Sequence, residues 1–265
     1  MNHSNSTTSL TEILRTADPE DLDVLVDYIT DSGEGRISLD SAHCERLTGA
    51  KAVGKYSHDE RALIETELRH FGGNTVVNLV RGVRGLFGGG GANGVPYAEI
   101  VQDVADHLKV KANKGASTEE LEEGILTTLL MASFEKLSVD ERENMLKDLD
   151  VPDAGTMARR GATAITAALI AALLSRTVAY KASRLVAGAT VQALLGRGLM
   201  FGATAALARP AALLAGPIGW AVTGAWALAD MASPAYRVTM PCVVQVAYMR
   251  KKAQQGPAAI EHQPS

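Results

Sequence analysis

The densest set of side chains able to do chemistry is His70, Asn74, Asn78, Arg81, Tyr97 and Asp103. On a helix starting at Asn74, the side chains of Asn78 and Arg81 follow at positions i+4 and i+7 and share its face. Two amides and a guanidinium there would form a polar patch. Tyr97 and Asp103, on the next helix, could complete it across the glycine-rich segment between them. Such a cluster suits a binding site for a polar ligand. The same residues also suit helix capping plus an Arg–Asp pair between helices, the commoner arrangement.

Other chemistries are disfavoured by spacing. None of the 6 histidines pairs with a second His or Cys at metal-ligand spacing, and the adjacent His43 and Cys44 point apart on a helix or strand. No GxSxG nucleophile motif is present. The glycines from Gly82 to Gly94 lack the Lys-Ser or Lys-Thr of a phosphate-binding loop. They also follow a helical pattern where that loop needs a strand, so they read as a hinge or loop insertion. No catalytic residue, cofactor or metal is therefore expected, and the reading is of a non-enzymatic protein.

A second set of candidate contacts lies in a stretch from Ala154 to Ala229 that contains no Asp or Glu, although the chain has 30 acidic residues. Its only charges are Arg159, Arg160, Arg176, Lys181, Arg184, Arg197 and Arg209. A membrane-spanning helix needs about 20 apolar residues to cross about 30 Å of hydrocarbon. The uncharged runs here are 15, 12, 11 and 20 residues long, and the longest carries Pro217. Gly198 and Gly202 form a GxxxG, and Ala212 with Gly216 repeats the small-xxx-small spacing that lets helices approach closely. Two readings stay open: a buried hairpin in a soluble core, or a hairpin that associates with or inserts into a membrane. The interspersed arginines favour interfacial or conditional insertion over a constitutive span, since their stems can lie along lipid while the guanidinium reaches the headgroups. Arg176, Lys181, Arg184, Arg197, Gly198, Gly202, Gly216, Trp220 and Trp226 are the candidate membrane or partner contacts.

The elements that must position these residues are helices. Aromatic content is 5% against 46% apolar, so the core rests on Ala, Leu, Val and Ile, which favours an all-α fold. Capping boxes are expected where Ser9, Ser57, Ser117 and Ser138 are each followed three residues on by Glu. Helices are predicted from Pro19 to about Thr30, near Ser41–Thr48, from Ser57 to Phe71 with Gly72-Gly73 as the stop, and from Asn74 towards Arg84. Further helices open at Pro96, Ser117 and Ser138, with a boundary at Pro152. After Pro241 the run CVVQVAYM makes a last helix.

Charge divides the chain. Residues 1–158 hold 15 Lys/Arg against 28 Asp/Glu, while residues 159–265 hold 11 against 2. The domains expected are a flexible N-terminus at 1–16, an acidic helical domain at 17–152, a basic, Ala/Gly-rich apolar helical region at 153–252 and a disordered tail at 253–265. The basic region would pack on the acidic domain or on membrane. An anionic membrane surface or a protein partner fits this polarity, and self-association is admitted. Nucleic acid is disfavoured, because the cations lie dispersed among Ala and Gly with few interleaved aromatics. The two widely spaced cysteines and the absence of a basic-then-apolar leader predict a cytoplasmic protein with peripheral or conditional association with the inner membrane.

The runs HFGGNTVVNLVRG, YAEIVQDVADHLKVKA and PAYRVTMPCVVQVAYMRK resemble the YaaW family of uncharacterised bacterial proteins. That family supplies no catalytic residues. Weak similarity of related sequences to the ubiquinol–cytochrome c chaperone domain implies an assembly helper, an alternative to a membrane-associating stress or defence effector.

Overall fold

The computed structural model describes residues 8–36, 39–80, 94–135, 137–160, 169–195 and 236–255. The chain is all-α, with no strand among the described residues. Its helices are α1 (Leu10–Thr16), α2 (Pro19–Thr30), α3 (Ser41–Val53), α4 (His58–Val80), α5 (Tyr97–His107), α6 (Thr118–Phe134), α7 (Val139–Asp148), α8 (Ala154–Ala158), α9 (Arg176–Leu195) and α10 (Tyr236–Gln255).

Serine caps set four of the helix starts. Ser57 and Glu60 exchange both arms of a capping box, at 2.8 and 3.4 Å. Ser117 and Glu120 do so at 2.6 and 3.2 Å, and Ser138 and Glu141 at 2.8 and 3.4 Å. The fourth box is only half formed. Ser9 Oγ accepts from Glu12 N at 3.2 Å, but the Glu12 carboxylate turns to Arg15, whose guanidinium offers two donors at 2.8 and 2.5 Å. A charge-assisted fork outcompetes the neutral amide of the cap.

Three expected boundaries are corrected. α3 runs past Gly49 to Val53 and ends at Gly54, whose φ of 68° gives a left-handed cap. Asp40 accepts from two amides at its start, and an ion pair from Lys51 to Asp27 of α2 ties down its last turn. These hold a helix through one interior glycine, which costs about 1 kcal/mol.

The second correction is at Gly72-Gly73, where α4 continues to Val80. Gly72 serves packing: a Cβ there would lie 2.4 Å from Ile100 Cγ1 and 3.0 Å from Val95 Cγ2. The missing side chain is what lets α5 close on α4. Third, α10 begins at Tyr236 and carries Pro241 in its interior. A proline there removes one backbone donor and costs about 3 kcal/mol. The helix absorbs this through burial, since every residue from Val238 to Lys251 is buried.

Two compact units divide the chain, residues 1–124 with 232–246 and residues 125–231 with 247–265; the divide falls within α6 and α10. The first is built on Leu14, Leu22, Leu25, Ile29, Leu47, Ile64, Leu68 and Ile100, all fully buried. α10 contributes Cys242, Val243 and Val244 to it, and Gln245 donates to the Asp21 carbonyl at 3.2 Å. Burial pushes the Cys242 thiol up to about 12. The second unit buries Ile125, Leu129, Leu130 and Met145, together with Val186 and Ala189 of α9.

Candidate functional site

α5 carries two of the residues of the first candidate site, Tyr97 and Asp103. Its entry is held by Gly94, which has φ +67° and lies so close to α4 that a Cβ would come 2.7 Å from the Arg69 carbonyl carbon. Val95 N donates to Arg69 O at 3.3 Å, and Arg69 Nε donates to Val95 O at 3.1 Å. With α5 locked in this register, Ile100, Val101 and Val104 face the core, and Asp103 and His107 line a partly buried flank.

The Tyr97 hydroxyl donates to Glu122 Oε1 of α6 at 2.9 Å, with both residues buried. Asp103 instead neighbours Tyr236. Burial, then the carboxylates of Asp106 and Glu99, raises the Asp103 pKa above its ordinary value. Its Oδ2 is buried with no hydrogen-bond partner among the described residues. Burial and the carboxylates of Asp103 and Asp106 raise the Tyr236 phenol in turn. The Tyr236 ring stacks on His107 at 4.3 Å between centroids. His70 is half-buried and engaged on α4. Asn74 and Asn78 lie inside α4, so Asn74 is no cap, while Arg81 lies outside the described residues.

A second polar layer ties α2, α3 and α4 together. His43 Nδ1 meets Glu67 Oε1 at 2.6 Å, with Glu67 buried. The Tyr56 hydroxyl donates to Asp23 Oδ1 at 2.6 Å, and Arg61 donates to the carbonyls of Leu14 and Ala17. These groups bridge helices. Among the described residues no group of three His, Cys, Asp or Glu could hold a metal ion.

The basic, apolar candidate set belongs to the second unit. Leu169 is fully buried, but Ile170 is 49% and Leu174 86% exposed. Residues 169–173 are helical, and the chain bends at Leu174-Ser175 before α9 starts at Arg176. Arg176 is exposed, and its carbonyl accepts from Gln255 Nε2 at 2.6 Å. Lys181 is ion-paired with Asp150, and Arg184 is half-buried and engaged. Arg197, Gly198, Gly202, Gly216, Trp220 and Trp226 lie outside the described residues. Burying a leucine side chain is favourable by roughly 1.5–3 kcal/mol, so an 86% exposed Leu174 forgoes most of that in water.

Comparison with known proteins supplies a family. A UPF0174 protein of Helicobacter pylori J99 is 31% identical over 247 residues, covering 92% of this chain and 91% of its own length. A second from that strain is 34% identical over 213 residues, 78% of this chain and 97% of the relative. The UPF0174 protein YaaW of Escherichia coli K12 is 30% identical over 189 residues, 71% of this chain and 70% of the relative. The chain belongs to the UPF0174 family.

The YaaW resemblance of the HFGG and AYRVT runs thus extends over most of this UPF0174 chain. No family model and no solved structure matches it. No helix among the described residues is long and apolar enough to cross a membrane.

Sequence reasoning missed Tyr236, Glu122 and Glu67. Glu67 had a signal. Ile64, Leu68 and Phe71 mark the core face of α4, and Glu67 sits on that face one position before Leu68. An acid on a core face implies a partner, here His43.

Proposed function

We propose that this UPF0174 protein acts by binding, through its basic, acid-free half, to an anionic membrane surface. The reading is of a non-enzymatic protein at the cytoplasmic face of the inner membrane. One observation carries it: Leu174, 86% exposed, sits beside the exposed Arg176 in a stretch where no Asp or Glu occurs from Ala154 to Ala229. Exposed aliphatics next to an exposed cation suit the boundary between headgroups and acyl chains, where both find a partner. The association proposed is peripheral or conditional. Flotation of the full chain with vesicles tests it. Binding to vesicles containing phosphatidylglycerol that weakens with salt is expected; no binding to any vesicle contradicts the reading.

A second reading is a helical chaperone or assembly factor whose apolar stretch is its own core. The burial of Leu169, Val186 and Ala189, and the pairing of Lys181 with Asp150, favour it. Limited proteolysis separates the two. Protection of residues 161–229 with and without vesicles fits the core reading, whereas protection that appears only with vesicles fits the membrane reading.

A further inference from the structure

We propose that the bend between residues 169–173 and α9 is the lipid-docking corner of the molecule, with Leu174 and Ile170 entering the headgroup layer and Arg176 held at the phosphates. This rests on the membrane reading above and deepens it, by naming which side chains touch lipid. Ile170 lies in the helical residues 169–173 and Leu174 at the turn that follows them. They are 49% and 86% exposed, while the neighbouring Leu169 is fully buried. The corner therefore has an inner and an outer face.

Three backbone donors at the corner are satisfied within the chain. Leu174 N donates to Ala171 O at 3.3 Å, Ser175 N to Ala172 O at 3.0 Å and Ala179 N to Ser175 O at 2.9 Å. Entering a headgroup layer thus strands none of these three donors. The base of the corner is fixed. Val178 is buried, Tyr180 stacks on Tyr248 at 6.1 Å, and Lys181 pairs with Asp150. A rigid base lets the exposed side chains enter lipid without loss of fold.

Charge selects the occupant. The ionic side chain at the corner is the exposed Arg176; Arg159, further back in the chain, instead acts on the Glu143 carboxylate. An aliphatic tip beside an exposed guanidinium complements a surface of phosphates over hydrocarbon. Lys181, already paired, is not counted on for that contact.

The test is co-sedimentation of the full chain with phosphatidylcholine vesicles, with and without phosphatidylglycerol, for the wild type, the double variant Ile170→Ser/Leu174→Ser, Arg176→Gln and Val53→Ser. Val53 is the control, being 71% exposed on α3. The double variant should bind anionic vesicles at least about tenfold more weakly with an unchanged circular dichroism spectrum and Tm. Arg176→Gln should lose about fivefold and flatten the salt dependence. Val53→Ser should match the wild type. Wild-type protein that binds no vesicle defeats the membrane reading itself. Wild-type binding that the double variant fully retains, or that Val53→Ser loses equally, overturns the corner while leaving the membrane reading standing. Equal binding to neutral vesicles overturns the role of charge. A wild-type dimer that the double variant abolishes, with vesicle affinity unchanged, assigns the corner to a second copy of the chain and also overturns the proposal.

Discussion

α5 and the corner at residues 169–176 treat their side chains in opposite ways. α5 carries Glu99, Asp103 and Asp106, yet it draws Asp103 into a partly buried flank beside Tyr236 and buries Tyr97 against Glu122. The corner carries aliphatic residues and leaves Ile170 and Leu174 in water. Polar groups turned inward have hydrogen-bonding partners within the chain, or a raised pKa in place of one. Apolar groups turned outward have no such return, and their partner is to be sought outside the chain. Within the polar cluster, Tyr97 thus ties α5 to α6, while Asp103 lies beside Tyr236 with a buried oxygen lacking a hydrogen-bond partner among the described residues.

The sharpest way to break the first half of that contrast is to disturb the α4–α5 seam. Gly72→Val should destabilise the fold by about 3 kcal/mol, because its side chain would collide with Ile100 and Val95. Urea denaturation measures this, and a neutral result would mean that α5 is not seated on α4. Tyr97→Phe should cost roughly 1–2 kcal/mol by removing one hydrogen bond from the buried Glu122 carboxylate.

Asp103→Asn tests the sign of the electrostatics. Because the Asp103 pKa is raised in the folded chain, the native state holds its proton over a pH range where the unfolded state has lost it. Stability contributed by this group therefore falls as pH rises through that window and returns as pH drops below it. The variant should be more stable than the wild type near pH 7, with the difference shrinking towards about pH 4 as the native carboxyl protonates. A difference that grows on acidification would mean that Asp103 is stabilised as an anion. The smallest effect belongs to the other region: Ile170→Ser/Leu174→Ser should change folding stability by less than about 0.5 kcal/mol, as expected of exposed positions. A large loss there would show that the corner is packed.

What could be read from the chain was what is local. The start of α2 follows from Pro19, and the serine caps open α4, α6 and α7 where the spacing of Ser and Glu places them, whereas the left-handed Asp31 that ends α2 carries no such signal. Gly72 reads as a stop because a glycine that ends a helix and one that admits a neighbouring helix look alike until Ile100 is in place. Pro241 likewise reads as a boundary, since its cost is offset by burial that only the fold reveals. Tyr97 was grouped with Arg81 by proximity along the chain, whereas its partner Glu122 comes from the next helix but one in the sequence from α4. The exposure of Leu174 was hidden for a related reason. An uncharged run signals burial on average and cannot show which leucine stands at a bend.

One measurement bears most directly on the outward-facing corner. Leu174→Cys in a Cys44→Ser background can be labelled with an environment-sensitive fluorophore, the remaining thiol of Cys242 being fully buried. Titration with phosphatidylglycerol-containing vesicles should shift the emission to the blue and quench it with lipid-borne quenchers placed near the headgroups. Emission that stays at its aqueous wavelength while the protein sediments with the vesicles would contradict lipid contact at this corner.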